Sequence, residues 1–386
     1  MRRPLSVAAL MLLAAAPTAA QTPTDVISFL VTNQNVQTGD FTKDQAAAAA
    51  TRDTIVRSLL VNLATVPIES SSSGFVYRLD PELGTESRVS DSFGTFFVER
   101  AMTTGRGRVS FGASGTTTGY DRLDGFNLRD GTMTTTANQF RDEAAPFDVE
   151  SLTLKIRAST MTFFGSYGVT DRLEIGGALP LVQLDIEGSR LNVYRGESFV
   201  QATGAASASG LADAAVRAKY LFYSTRTAGI AAAAEVRLPT GSESDLLGAG
   251  RAALRLMGVG SVESGRVGLH GNLGIVRGGV SNEFDGSGAL TFSATPHVTL
   301  VGELLLRRLS DVRQVVAVTA DHPTIAGVET LRLVPGTSAT TLSTAVTGLK
   351  WNVATSMVLT TELRWRVGNA GLTAPFTPTV AFDYLF

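Results

Sequence analysis

Residues 380–386, at the C-terminal end of the chain, read Val-Ala-Phe-Asp-Tyr-Leu-Phe. Large apolar residues occupy every second position, which is the period of a β-strand with one apolar face. A strand that runs to the last residue and ends in aromatics is typical of membrane barrels, whose aromatic rings form girdles at the membrane interfaces. We expect Phe382, Tyr384 and Phe386 to face lipid and to form the signal that the outer-membrane barrel assembly machinery reads.

The N-terminus has the three parts of a secretory signal peptide. Arg2 and Arg3 precede an apolar run over residues 5–16, and small residues follow at positions 17–20. The apolar run is too short for a membrane-spanning helix, which needs about 20 residues. We therefore predict that residues 1–20 are removed on secretion and that Gln21 begins the mature chain.

The composition excludes several classes of protein. Charged residues make up 18% of the chain, below the typical quarter, and the mean hydropathy is +0.15 although no long apolar run follows the signal peptide. Alternating strands distribute apolar residues in this way. The chain contains no cysteine, which excludes lipid attachment through cysteine, disulfides and thiolate metal sites. The net charge of −2 gives no reason to expect nucleic acid as a partner.

Charged and apolar residues alternate along many segments. Over residues 211–223, for example, Arg217 and Lys219 oppose a face of Ala, Val, Tyr and Phe. One such segment fits a soluble β-sandwich as well as a barrel, but the repetition favours a membrane barrel whose charged faces line the lumen. The predicted lumen-lining residues are Arg157, Arg217, Lys219, Glu235, Arg237, Arg251, Arg255, His270, Glu303, Glu362, Arg364 and Arg366.

The predicted fold is all-β: a transmembrane, antiparallel, up-and-down β-barrel over residues 73–386. Short turns alternate with long links, as in outer-membrane barrels with short periplasmic turns and long outer loops. We predict 14 strands, or 12 without the first two, and a hairpin of residues 315–318 and 329–334 that extends the wall outward. The predicted strands cover 73–80, 92–101, 105–118, 150–169, 171–187, 210–223, 228–240, 249–260, 265–277, 286–294, 297–308, 340–352, 356–368 and 375–386.

Residues 21–72 differ from the rest of the chain. A run of alanines followed by leucines at helical spacing predicts a helix from Lys43 to Asn62, with Asp40 or Thr42 as its N-cap. Residues 65–73 read as a linker. Three roles remain open for this N-terminal segment: a plug inside the barrel, a periplasmic extension, or a helix packed against the barrel mouth.

Three stretches resemble a known family. They are Tyr-Gly-Val-Thr-Asp-Arg-Leu-Glu-Ile-Gly-Gly-Ala-Leu-Pro-Leu at 167–181, Gly-Leu-Ala-Asp-Ala-Ala-Val-Arg-Ala-Lys-Tyr at 210–220, and Glu-Val-Arg-Leu-Pro-Thr-Gly at 235–241, followed by Leu-Gly-Ala-Gly at 247–250. In order and spacing they resemble the outer-membrane proteins grouped as the "putative meta-pathway of phenol degradation" family, which is similar to FadL-type transporters of fatty acids and aromatic hydrocarbons. The resemblance covers roughly residues 90–386 and implies a barrel of the Gram-negative outer membrane.

The sequence favours a channel over an enzyme. The chain has three histidines, and of these His270 alone is predicted to face the lumen, while His297 and His322 follow or precede prolines in turns and loops. No phospholipase or protease motif, phosphate loop or metal-ligand spacing is present, so we predict no enzymatic activity, no cofactor and no metal.

Three hypotheses about function follow, in order of preference. The first is a channel for passive uptake of small hydrophobic or aromatic solutes. The second is a structural or adhesive barrel that acts through long loops at 119–149, 188–210 and 310–339. The third is an outer-membrane hydrolase that uses His270. Outer-membrane lipid and the assembly machinery are the expected partners in each case.

Overall fold

The computed structural model describes residues 21–31, 41–65, 68–70, 77–80, 85–88, 92–354 and 356–386. The predicted signal peptide and the candidate N-cap Asp40 lie outside these residues. Within them, no helix is long and apolar enough to cross a membrane. The elements are α1 (Pro23–Val31), α2 (Phe41–Leu63), β1 (Tyr77–Asp80), β2 (Thr85–Arg88), β3 (Val109–Tyr120), β4 (Arg122–Leu123), β5 (Phe126–Asn127), β6 (Met133–Phe140), β7 (Asp148–Gly168), β8 (Leu173–Tyr194), β9 (Glu197–Leu211), β10 (Ala215–Ser224), β11 (Ala228–Arg237), β12 (Ala253–Ser264), β13 (Val267–Gly278), β14 (Glu283–Thr295), β15 (Val298–Asp321), β16 (Val328–Ala354), β17 (Met357–Arg366), β18 (Leu372–Thr373) and β19 (Phe376–Leu385).

A closed antiparallel barrel forms the body of the molecule. Among the described residues, 12 strands follow one another around the wall: β3, β7, β8, β10 to β17 and β19. The last strand pairs with the first over Thr379↔Thr116 to Leu385↔Ser110, and the N–H of Phe386 donates to the carbonyl of Val109 at 2.9 Å. The all-β barrel is therefore confirmed, and so is its closure by the C-terminal strand. The strand number is the lower of the two that the sequence allowed.

The two weakest predicted strands are not part of the wall. Residues 77–80 form β1, which pairs with β2 in a separate two-stranded sheet. Residues 92–101, predicted to be a strand, have no strand structure and are buried within the barrel. The first wall strand is therefore β3, which begins at Val109.

Several predicted loops are strands that raise the wall beyond the membrane. Residues 188–210 belong mostly to the β8–β9 hairpin, and residues 119–149 contain β4, β5 and β6. The predicted outward hairpin of residues 315–318 and 329–334 is confirmed, because β15 and β16 remain paired from Val315↔Pro335 to Asp321↔Glu329. The wall is therefore tallest on the side formed by β7, β8, β15 and β16.

The outer face of the barrel is apolar in its lower part. Tyr384 and Phe386 stack edge to face with centroids 4.6 Å apart, and Phe382 contacts Phe111 in the same way at 6.4 Å. All four rings lie at the end of the barrel that carries the short turns, which in an outer-membrane barrel is the periplasmic end. The outward orientation predicted for Phe382, Tyr384 and Phe386 is thus present in the structure.

The upper parts of β7 and β8 reverse this polarity. Leu152, Leu154 and Ile156 point inward and are at most 1% exposed, whereas Lys155 and Arg157 point outward. Lys155 pairs across the outer surface with Glu187 at 3.9 Å, with both side chains more than 60% exposed. These charges mark the upper limit of the lipid-facing belt, because charged side chains are costly on the lipid face.

Two helices fill the upper interior and explain the reversal. The apolar faces of α1 and α2 form one buried cluster with the inward leucines of β7 and β8. Gly188 and Gly204, which are opposite each other in β8 and β9, permit this approach. A Cβ at Gly188 would lie 2.4 Å from Leu30 of α1, and a Cβ at Gly204 would lie 3.0 Å from Val26. The N-terminal helices therefore pack against the inward faces of these strands, at the end of the barrel away from the short turns.

Asp124 ties the outer loops to this helical filling. Its carboxylate accepts the N–H of Val315 at 2.8 Å and the N–H of Gly371 at 2.7 Å. Burial raises the pKa of the Asp124 carboxyl above its usual value, although both hydrogen bonds act in the opposite direction. The small sheet of β4, β5 and β18 is held over α2 in this way.

We predict that deletion of Phe386 impairs barrel assembly more than transport. The deletion removes the last hydrogen bond between the C-terminus and Val109 of β3, and one aromatic ring at the periplasmic end of the barrel. The heat-modifiable, folded fraction in outer membranes should fall, while conductance per folded channel stays unchanged. Phe376→Ala, which removes an exposed ring at the opposite end of β19, is the matched control. Normal folded yield without Phe386 would contradict the assignment.

Candidate functional site

Residues 92–104, which we call the plug segment, cross the interior of the barrel near its periplasmic end. Their backbone N–H groups donate to inward side chains of the wall and not to a β-ladder. The N–H of Glu99 donates to Asn272 at 2.7 Å, that of Ala101 to Ser261 at 2.9 Å, and that of Thr104 to Glu174 at 2.6 Å. Since a buried N–H requires a partner, the inward polar residues hold this segment in place.

A buried ion network fixes the middle of the plug segment. The carboxylate of Glu99 is 2% exposed and binds both Arg217 and Lys219 of β10. Arg217 also binds Glu235 of β11, and Lys219 lies 3.3 Å from Glu174 of β8. Each cation thus bridges the plug segment and a neighbouring wall strand. Loss of one member of such a network leaves buried charge poorly compensated.

The next part of the plug segment lies against β12 and β13. Arg100 is 1% exposed and lies 3.6 Å from Glu263. His270 contacts Ser261 through Nδ1 at 3.0 Å, and its Nε2 lies 3.8 Å from Glu263. A serine, a histidine and an acid are therefore adjacent, but the Ser261 hydroxyl already accepts the N–H of Ala101 from the plug segment. In this arrangement the three residues join the plug to the wall.

The first part of the plug segment lies against β15, β16 and β17. Glu303 accepts the N–H groups of Phe96 and Phe97, the latter at 3.0 Å. Lys350 lies over the ring of Phe96, and Arg364 lies over the ring of Phe97, both at 5.6 Å from the centroid. Cation–π contacts of this kind stabilise buried cations. The plug segment therefore contacts strands on opposite sides of the lumen.

Residues 68–70 descend from α2 and rest on the plug segment. The N–H of Ser70 donates to the carbonyl of Phe96 at 2.7 Å, and Arg217 donates to the carbonyl of Glu69 at 3.4 Å. Two interior cavities of roughly 120 and 160 Å³ lie near the end of α2, and Ile68 lines the smaller one. Thr65 and Arg307 border both cavities.

Most predicted lumen residues do point inward. Ten of the twelve lie on the interior face, and many of these contact the plug segment instead of open water. Arg157 is a correction, because it lies on the outer surface beside Lys155. Arg251 is another, since it lies in the exposed loop before β12 and donates to the carbonyl of Gly279 at 2.9 Å. The ten inward residues are Arg217, Lys219, Glu235, Arg237, Arg255, His270, Glu303, Glu362, Arg364 and Arg366.

Several interior residues were not among the predicted site residues. Glu99 and Arg100 were assigned to a wall strand, although consecutive opposite charges would place one of them in lipid. The others lie at alternate positions of their strands, on the face that points inward, and this alternation could have identified them. They are Glu174, Ser261, Asn272, Glu283, Asp285 and Lys350. Within the described residues, no group of three or more potential metal ligands occurs.

A family model described as "Putative MetA-pathway of phenol degradation" matches residues 131–321. The predicted family resemblance is confirmed. The matched stretch contains all three motifs, which supply β8, β10 and β11 with their turns. The closed barrel resembles outer-membrane channels and porins. No curated protein sequence matches it.

Several solved structures are similar to this chain, each at low sequence identity and with a TM-score below 0.5. An outer-membrane channel from Pseudomonas putida F1 is 11% identical, with 74% of this chain and 98% of that chain covered and a TM-score of 0.49. The NanC porin is 7% identical, with 70% and 98% covered and a TM-score of 0.37. The CymD monoaromatic hydrocarbon channel is 8% identical, with 73% and 89% covered and a TM-score of 0.28.

We predict that Glu99→Gln loosens the plug segment. Removing one charge of a buried network destabilises it by about 3–5 kcal/mol, which would raise the open-to-closed ratio more than about 100-fold. Single-channel recording in planar bilayers should show longer or more frequent openings. Glu187→Gln is the matched control, because its exposed pair with Lys155 contributes under about 1 kcal/mol. Identical recordings from both variants would show that Glu99 does not hold the channel closed.

Proposed function

We propose that the chain is an outer-membrane transporter for passive uptake of small solutes, closed at rest by the plug segment. The observation that carries the proposal is the way this segment is held. Its N–H groups are bonded to wall side chains such as Ser261, Asn272 and Glu174. Because these bonds do not belong to the barrel ladder, the segment can leave without opening the wall.

The solutes are small and hydrophobic or aromatic. Two considerations support this choice. The family resemblance implies a relation to FadL-type transporters, and the outer end of the interior is a large apolar cluster around α1 and α2. A solute that enters from outside would meet this apolar filling before the charged ring and the plug segment. No net pumping is required, since the solute moves down its own gradient.

A reversible lock on the plug segment tests the proposal. The chain has no cysteine, so Ala101→Cys with Ser261→Cys introduces a single possible cross-link at a point where the two residues are in contact. Liposomes containing this variant should take up phenyl glucoside, which carries an aromatic ring, when reduced. After oxidation uptake should fall to the level of protein-free liposomes, and reductant should restore it.

Ala101→Cys alone is the control, and its uptake should not depend on redox state. If the oxidised double variant transports as fast as the reduced form, the plug segment is not the gate. If neither form of the double variant nor the wild type passes any solute, the transport function itself is wrong.

A further inference from the structure

Three neighbouring ion pairs line the smaller interior cavity, and in each pair the arginine is the more exposed partner. Arg237 is 20% exposed and Glu235 1%, Arg255 is 28% and Asp285 7%, and Arg307 is 28% and Glu283 5%. The guanidinium groups are therefore more accessible to a ligand than the carboxylates that pair with them. We call this space the arginine cavity.

The carboxylates fix the guanidinium groups without using all their donors. Nε and Nη2 of Arg307 donate to Glu283 at 2.9 and 2.7 Å, and Nη2 also donates to the Thr65 hydroxyl at 3.0 Å, which leaves Nη1. Nε of Arg255 donates to Asp285 at 2.8 Å. An arginine has five N–H donors in a rigid fork. The remaining donors can bind a ligand at little entropic cost, because the side chains are already held in position.

Apolar groups complete the arginine cavity. Val276, Val280 and Leu305 lie among its lining residues, and Phe97 of the plug segment borders it. Such a site suits a ligand with one apolar end and one anionic end. A purely apolar solute would leave the guanidinium groups dehydrated without a partner, which is unfavourable.

We propose that the arginine cavity is a binding subsite for organic anions that carry a carboxylate on an apolar, preferably aromatic, body. The proposal rests on the transport function, since it names the class of solute that would bind next to the plug segment before it is transported. A carboxylate can accept hydrogen bonds from the donors that Glu283 and Asp285 leave free on the two guanidinium groups. The apolar body would lie against Val276 and Leu305.

Three isosteric probes test the charge preference directly. Benzoate, benzamide and benzamidine have nearly the same shape and carry negative, neutral and positive charge. Calorimetric titration of the full-length, folded barrel in detergent should show benzoate binding at least about 10-fold more tightly than benzamide, since a hydrogen bond to a charged group contributes more than 1.4 kcal/mol. Benzamidine should bind most weakly. Equal affinity for benzoate and benzamide would overturn the proposal.

Charge-neutral double variants locate the site. Arg255→Gln with Asp285→Asn, and Arg307→Gln with Glu283→Gln, each remove a guanidinium and its carboxylate together, so no buried charge is left alone. Each should abolish most of the preference for benzoate. The matched control is Lys155→Gln with Glu187→Gln, a pair on the outer surface, which should retain it. Preference that survives both interior variants would place the binding elsewhere and overturn the proposal.

Competition and transport separate the remaining outcomes. Chloride at equal concentration should not displace benzoate, and displacement would identify a simple inorganic-anion site instead. Binding of benzoate by a barrel that passes no solute in liposomes would refute the proposed transport function but not the subsite. Transport without any preference for benzoate over benzamide in binding would refute the subsite but not the transport function.

Discussion

The closed interior depends on one buried carboxylate, that of Glu99, held between Arg217 and Lys219. Neither cation could remain at the centre of the barrel without acidic partners, because burial of an unpaired charge costs several kcal/mol. Glu99 brings the plug segment into contact with β10, and Glu174 and Glu235 complete the network from the neighbouring strands. Polar residues that would line water in an open pore are thereby used to bind the chain's own backbone.

The same constraint explains why polarity changes along the barrel. In the lower half the interior contains the plug segment and is polar, while the outer face meets lipid. In the upper half the interior contains α1 and α2 and is apolar, as Leu152 and Leu154 show, while Lys155 on the outer face meets water. The two fillings thus require one continuous strand, β7, to present an apolar inward face in its upper half and a polar inward face in its lower half.

The sequence predicted the wall well where one face is almost wholly apolar, as in β10, β12 and β17. Period-2 alternation identifies such a strand but does not say which face is inward, and for this reason Arg157 was assigned to the lumen. Residues 92–101 were predicted to be a strand of the wall. The adjacent charges of Glu99 and Arg100 exclude that reading, since successive side chains point to opposite faces.

The partners of the plug segment lie far from it in sequence, and alternation alone carries no information about such contacts. The helices were predicted from their periodicity, but their place within the barrel depends on Gly188 and Gly204, which are unremarkable in the sequence. The residues predicted to line the lumen carry both positive and negative charges. In each interior ion pair the carboxylate is more buried than the arginine, and a charge count does not contain this difference.

Residue-resolved hydrogen exchange of the plug segment tests the central claim most directly. The amides of Glu99, Ala101 and Thr104 have side-chain acceptors in the wall and no ladder partner. They should exchange as slowly as amides of β12 and β13 in the resting barrel, and faster in a barrel that is passing solute. Rapid exchange at all three positions in the resting protein would contradict the account, because it would show that the interior side chains do not hold the segment.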